Sequence, residues 1–104
     1  MLHLKDDPVL CFVVDCAKER KWINGVWLFG SRSKEKHSQT SDYDLAVEVD
    51  VLKELSWGEF CSELREKNPS LNQLDLLRLD IIEKDFVERI KKEGIKIYER
   101  LQNE

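Results

Sequence analysis

The stretch that decides the fold opens with Gly30-Ser31 and, after ten intervening residues, closes with Asp42-Tyr43-Asp44. The apolar run over residues 26–29 stops at the glycine, so it predicts a buried strand that leads into a glycine turn. Residues 44–49 are rich in small and β-branched side chains and predict a second strand. The glycine turn therefore follows one strand, and the paired acids begin the next.

The paired acids predict a metal site. Residues i and i+2 of a strand point to the same side, so Asp42 and Asp44 bring two carboxylates into one place. Carboxylates that are this close repel each other unless a divalent cation lies between them. Ligation by oxygen alone is typical of Mg²⁺ or Mn²⁺, which usually also take oxygens from a substrate phosphate. The pattern therefore favours a metal-bridged triphosphate as the ligand.

The glycine turn predicts a phosphate site. Gly30 and Ser31 follow a strand and precede a polar segment, where backbone N–H groups can converge on an anion. The glycine lets a phosphate approach the backbone, Ser31 adds a hydroxyl donor, and Arg32 adds a positive charge. A Gly-Ser pair alone is a common turn. Its fixed distance from the two aspartates is what indicates nucleotide binding.

A third acid, Asp75, interrupts the apolar run over residues 74–77. A carboxylate buried there without a partner would cost on the order of several kcal/mol. A metal shared with Asp42 and Asp44 would compensate this cost. Asp75 would then ligate the metal that activates an attacking hydroxyl, or accept the proton of that hydroxyl. The alternative is an aspartate on an edge strand that faces water.

The N-terminal third of the chain adds one helix and one undecided segment. Asp7 is typical of an N-cap and Pro8 of a first helical residue, and apolar spacing predicts a helix over residues 8–21. Asn24-Gly25 is a turn signal. Residues 31–41 are almost wholly polar and predict a short exposed helix, a loop, or one followed by the other.

The C-terminal half continues the alternation of helices and strands. A helix that starts near Trp57 ends at Asn68-Pro69, and residues 74–79 predict a third strand. The last helix stops at Gly94, and residues 95–98 predict an edge strand or a packed tail. The order is αβ(α)βαβα, an α/β fold in a single domain over residues 1–104.

Composition limits the classes of function. The 104 residues are 41% hydrophobic and 37% charged, which fits one compact domain with a modest core. No apolar stretch is long enough to cross a bilayer, and the N-terminus lacks the order of a signal peptide, so we expect a cytoplasmic protein. The net charge is −4 with acids and bases interspersed, which argues mildly against sequence-independent nucleic-acid binding.

The cysteines and histidines do not suggest a separate site. Cys11, Cys16 and Cys61 lie in apolar surroundings and form no CxxC pair, so core packing is their expected role. His3 and His37 lie at no metal-ligand spacing, and His37 is within a solvated run. We expect both histidines on the surface.

Three stretches carry a resemblance to a known family: Phe29-Gly-Ser-Arg-Ser-Lys34, Ser41-Asp-Tyr-Asp-Leu-Ala-Val47 and Leu74-Asp-Leu-Leu77. They resemble the minimal nucleotidyltransferase family of the DNA polymerase β-like nucleotidyltransferase superfamily, whose pattern G-S-x10-D-x-D is met without a gap. The resemblance implies a polymerase β-like catalytic fold, a small mixed β-sheet packed against helices. It also implies metal-dependent transfer of a nucleoside monophosphate from a triphosphate, with ATP favoured, to an acceptor hydroxyl, releasing pyrophosphate.

The resemblance also implies roles for single residues. Asp42 and Asp44 would hold the metal ions, two Mg²⁺ or Mn²⁺, and Asp75 would complete the catalytic triad. Gly30 and Ser31 would hold the triphosphate. The chain departs from many relatives at position 35, where a glutamate stands in place of a glycine, and this affects how the loop closes over the nucleotide.

A partner is the last implication of the resemblance. Larger relatives carry a second, helical domain that supplies the acceptor site, and nothing in this chain can be that domain. Members of the minimal family are encoded beside a small helical HEPN-type protein, and some act as antitoxins that adenylylate it. The alternative is a binding module that neutralises a helical partner by occlusion, with catalysis slow or absent. A nucleic-acid-extending polymerase domain is disfavoured by the acidic balance.

Overall fold

The computed structural model describes residues 4–34 and 40–101. Within these residues four strands form one sheet, and in chain order they are β1 (Ile23–Phe29), β2 (Tyr43–Val49), β3 (Leu74–Arg78) and β4 (Ile95–Glu99). The spatial order is β3-β2-β1-β4. β1 pairs antiparallel with both β2 and β4, whereas β2 pairs parallel with β3. The expected mixed sheet of the α/β fold is confirmed, and residues 95–98 lie in an edge strand.

In the described part of the chain three α-helices complete the predicted order: α1 (Pro8–Lys18), α2 (Trp57–Lys67) and α3 (Lys84–Glu93). The N-cap of α1 is as predicted, since Asp7 Oδ1 accepts hydrogen bonds from the backbone N–H groups of Val9 (2.9 Å) and Leu10 (3.1 Å). None of the helices among the described residues has both the length and the apolar character that a membrane span requires.

Helix α1 ends three residues earlier than its apolar spacing predicts. Beyond Lys18 the chain turns, and the Arg100 guanidinium donates to the carbonyl oxygens of Ala17 (3.1 Å), Lys18 (3.3 Å) and Arg20 (2.7 Å). Helix ends leave such carbonyls without partners. A side chain from the far end of the sequence therefore satisfies the end of the first helix.

Strand β1 begins three residues before the predicted run. Asn24-Gly25, a turn signal in the sequence, lies inside the strand as a bulge, with a register shift between Ile23 and Gly25. A Cβ at Gly25 would lie 3.3 Å from the Tyr98 carbonyl oxygen of the neighbouring strand. Glycine here serves a close approach between strands rather than a chain reversal.

The two faces of the sheet bury different residues because side chains alternate along each strand. On one face, Tyr43 and Leu45 of β2 pack with residues of α1 and α2 in the larger apolar cluster. On the other face, Ala46 packs with Trp27 and Phe29 of β1 and with α3 in a smaller cluster. Odd-numbered residues of β2 therefore face α1 and α2, and even-numbered residues face α3.

Candidate active site

Gly30 stands at the junction of strand β1 and the candidate site. Its backbone φ is +71°, a left-handed conformation that glycine adopts without cost. It opens a single 3₁₀ turn, Gly30–Ser33, which contains the first residues of the undecided polar segment. Of that segment the structure describes residues 31–34, 40 and 41. A Cβ at this position would collide with the Asp44 carboxylate. The glycine therefore lets both the turn and the acid occupy one corner of the sheet.

The structure brings Asp44 and Asp75 together. The two residues are register partners on the parallel strands β2 and β3, and Asp44 is also opposite Phe29 of β1. Paired residues of neighbouring strands point to the same face, so both carboxylates are on the α3 side of the sheet. Burial raises the pKa of the Asp44 carboxyl, and the negative charges of Asp75 and Asp42 raise it further.

Asp42 is less closely held than the other two acids. It is exposed and lies one residue before β2 begins. Among residues 4–34 and 40–101, no three histidine, cysteine, aspartate or glutamate side chains form a ready-made metal-binding group. Asp44 and Asp75 form the close pair, and Asp42 adds its charge from the side. Oxygen donors that repel one another in this way suit Mg²⁺ or Mn²⁺.

Arg32, the predicted phosphate-binding cation, makes internal contacts. Its Nε donates to the Ser41 carbonyl oxygen (2.9 Å), and its guanidinium carbon lies 4.0 Å from the centre of the Tyr43 ring. Tyr43 faces α1 and α2, the side opposite Asp44. In this structure Arg32 therefore ties the glycine turn to the loop before β2.

Tyr43 is a site residue whose role the sequence did not reveal. Its hydroxyl donates to the Asp7 carboxylate, 3.0 Å from Oδ2, and so joins the N-cap of α1 to the middle of the D-x-D motif. Burial and this hydrogen bond raise the pKa of the Tyr43 hydroxyl to about 12. The two residues are 36 positions apart, so no local pattern predicts the contact.

The remaining predicted residues make few contacts or lie outside the described ranges. Ser31 is exposed, and its carbonyl oxygen accepts from the Lys34 N–H (3.1 Å), which closes the turn. On the opposite rim, the Gln73 side-chain amide donates to Asp75 Oδ1 (2.7 Å). The expectations for His3, position 35 and His37 concern residues outside those that the structure describes.

The Gly30→Ala substitution is expected to destabilise the protein by more than about 1 kcal/mol, because alanine is strained at positive φ and its Cβ must displace the Asp44 carboxylate. Chemical denaturation measures the effect. Gly58→Ala is the matched control: Gly58 lies in α2 with open space around its Cβ position. That change should raise the stability by up to about 1 kcal/mol. Equal stability of the two variants would contradict the conformational role of Gly30.

Solved structures share this fold at low sequence identity. A toxin–antitoxin structure with AMP-PNP aligns with a TM-score of 0.64 and 20% identity, covering 91% of this chain and 74% of the other. A chain from the structure of a tri-AMPylated Shewanella oneidensis HEPN toxin in complex with MNT antitoxin aligns with a TM-score of 0.62 and 19% identity. The alignment covers 89% of this chain and 71% of the other. The toxin–antitoxin pair MntA–HepT gives 0.61 and 18%, covering 89% and 72%. The resemblance to minimal nucleotidyltransferases is thereby confirmed at the level of the fold.

Comparison of sequences gives the family. No curated protein matches the chain. A family model described as polymerase beta, nucleotidyltransferase matches residues 13–103, which include the glycine turn, the D-x-D motif and the third acid. The chain therefore belongs to the polymerase beta nucleotidyltransferase family.

Proposed function

We propose that this protein binds a nucleoside triphosphate, with ATP favoured, and transfers its nucleoside monophosphate to an acceptor hydroxyl in a metal-dependent reaction. The observation that carries the proposal is the pairing of Asp44 with Asp75 across two parallel strands, directly beside Gly30. Two like charges held this close destabilise the fold. We infer that the protein keeps them together because they bind a cation.

The chain's own residues would divide the reaction between them. Asp42, Asp44 and Asp75 would hold two Mg²⁺ or Mn²⁺ ions, which when bound supply positive charge to the attacking and leaving oxygens. The turn at Gly30 and Ser31 would hold the triphosphate so that the acceptor oxygen can attack the α-phosphorus on the side opposite the leaving pyrophosphate. The acceptor oxygen would bond to the α-phosphorus, pyrophosphate would leave as the old P–O bond breaks, and Asp75 would accept the proton of the acceptor hydroxyl.

We infer that the acceptor is presented by a small helical protein of the HEPN type, in a toxin–antitoxin pair in the cytoplasm. Support comes from the structures with a similar fold, which include an MNT antitoxin in complex with an AMPylated HEPN toxin. Our alternative is an antitoxin that neutralises this partner by occlusion, with slow or no catalysis. The exposed position of Asp42, apart from the close pair, favours that alternative.

Label transfer tests the proposal. The purified chain would be mixed with Mg²⁺, ATP labelled at the α-phosphate and the helical protein encoded next to it. We expect label on the helical protein and equimolar pyrophosphate. Neutralisation of the helical protein without any label, and unchanged in the Asp42→Asn/Asp44→Asn double variant, would establish occlusion instead. Absence of both label and complex formation would refute both functions.

A further inference from the structure

A cavity lies beside the glycine turn on the α3 side of the sheet. Its volume is about 320 Å³, and it lies between Gly30 and Ser33 of the turn, with the following Lys34, and helix α3, which contributes Phe86 and Arg89. Such a concave site, walled by a backbone turn and a few charged groups, is typical of a ligand pocket. Neither Asp44 nor Asp75 lines it.

The cavity nevertheless opens next to the two paired acids. Phe29 lines it, and Phe29 is the register partner of Asp44 on the neighbouring antiparallel strand. Residues paired in this way point to the same face. Gly30 also lines the cavity, and it lies so close to the Asp44 carboxylate that a Cβ at this position would collide with it. A molecule bound at the acids therefore has this cavity as its neighbouring space.

The lining of the cavity favours an anion over a nucleobase. Phe86 has the Arg89 guanidinium carbon 5.6 Å from its ring centre and meets Phe29 edge to face, with ring centres 5.9 Å apart. The guanidinium thus covers one face of the Phe86 ring, which leaves less room for a base to stack on that ring. Lys34 and Arg89 bring two positive charges against the single negative charge of Glu93.

Arg89 also occupies a position that Arg32 does not. Arg32 is directed to the Tyr43 ring, on the face of the sheet opposite Asp44, and to the Ser41 carbonyl in the loop before β2. Arg89 is exposed and borders the cavity beside the turn. A guanidinium binds phosphate oxygens with two parallel hydrogen bonds, which gives both strength and orientation.

We propose that Arg89 binds the terminal phosphates of the nucleoside triphosphate in this cavity, the contact that the sequence pattern suggests for Arg32. The inference rests on the proposed nucleotidyl transfer. It divides the triphosphate between two elements: the α-phosphate is beside the acids of β2 and β3, and the β- and γ-phosphates extend between the turn and α3.

Calorimetric titration of the purified chain with ATP, and separately with AMP, in the presence of Mg²⁺ and without any acceptor, tests this assignment. Arg89→Gln should weaken ATP binding roughly 10- to 100-fold, as expected for the loss of a charge-assisted hydrogen bond. AMP binding should change less than about twofold, because AMP lacks the phosphates that Arg89 would contact. Arg89→Lys should recover part of the loss.

Lys92→Gln is the matched control, since Lys92 is exposed on the same helix, carries the same charge and does not line the cavity. It should leave the affinity for ATP unchanged, and circular dichroism should show that both variants remain folded. Equal losses of ATP and AMP affinity in Arg89→Gln would overturn the assignment in favour of a nucleoside pocket. Unchanged ATP affinity in Arg89→Gln would overturn the assignment of Arg89 but not the proposed function. Failure of the unmodified chain to bind ATP would instead refute the proposed function.

Discussion

The Asp44→Asn protein is expected to lose nucleotidyl transfer by a factor on the order of 10² to 10³ and yet to fold at least as stably as the unmodified chain. The loss of activity follows from removing a charge that would stabilise the reacting phosphate through its ion, and single electrostatic groups of active sites typically contribute this much. The gain or constancy in stability follows from removing a partly buried charge that Asp75 and Asp42 repel. Pyrophosphate release and thermal unfolding measure the two effects.

The same substitution has a signature in the pH dependence of stability. The folded-state pKa of Asp44 is raised, so the cost of its charge is fully present above that pKa. The cost lessens as the pH falls through the raised pKa towards the ordinary value of an aspartate. At mildly acidic pH, in the absence of divalent ions, the free energy of unfolding of the unmodified chain should therefore come closer to that of Asp44→Asn.

Asp15→Asn provides the control for both measurements. Asp15 is an exposed acid of α1, remote in sequence from the motifs, and its replacement removes the same charge at nearly the same volume. We expect unchanged activity and stability. Full transfer by Asp44→Asn, or a marked loss of its stability at neutral pH, would contradict the role that we assign to the paired acids.

The Phe60→Ala substitution should destabilise the fold by about 3–5 kcal/mol, a large share of the roughly 5–15 kcal/mol that holds a typical domain together. Phe60 has no solvent-accessible surface. Its ring centre is 5.8 Å from that of Trp22 and 5.9 Å from that of Trp57, and the Arg20 guanidinium carbon lies 5.0 Å away. Removal of the ring would leave a cavity among these large neighbours.

Urea denaturation followed by tryptophan fluorescence suits this prediction, because two of the three neighbours are tryptophans. Phe12→Ala is the comparison: Phe12 lies on α1, is only partly buried and packs against the edge of the same cluster. Its loss should cost clearly less, since part of its surface is already in water. A similar cost at both positions would show that Phe60 is not the centre of the cluster.

Local pattern was sufficient for the parts of the site that depend on alternation along a strand. The spacing of Asp42 and Asp44 and the position of Asp75 within an apolar run predicted acids on two strands, and the register of β2 and β3 places Asp44 beside Asp75. Gly30 was singled out for the approach of a phosphate. That role stays a prediction, and what the structure shows is a different reason for the glycine, the closeness of the Asp44 carboxylate.

Local sequence patterns do not predict contacts between segments that are far apart in the sequence. Arg32 follows the glycine turn directly, which suggested a phosphate ligand, but the direction of a long side chain depends on which ring and carbonyl are packed nearby. The hydrogen bond of Tyr43 to Asp7 and those of Arg100 to the end of α1 join residues 36 and about 80 positions apart. Asn24-Gly25 was misleading for a related reason, since its glycine serves a neighbouring strand.

The alternation along β2 has a consequence for how this chain can change over generations. Tyr43 and Leu45 support the apolar interior, while the acid between them belongs to the opposite surface. A substitution at one position of this strand changes the packing of one surface only. The insertion or deletion of one residue within this strand would exchange the two surfaces beyond that point, so a change in its length would disturb both surfaces at once.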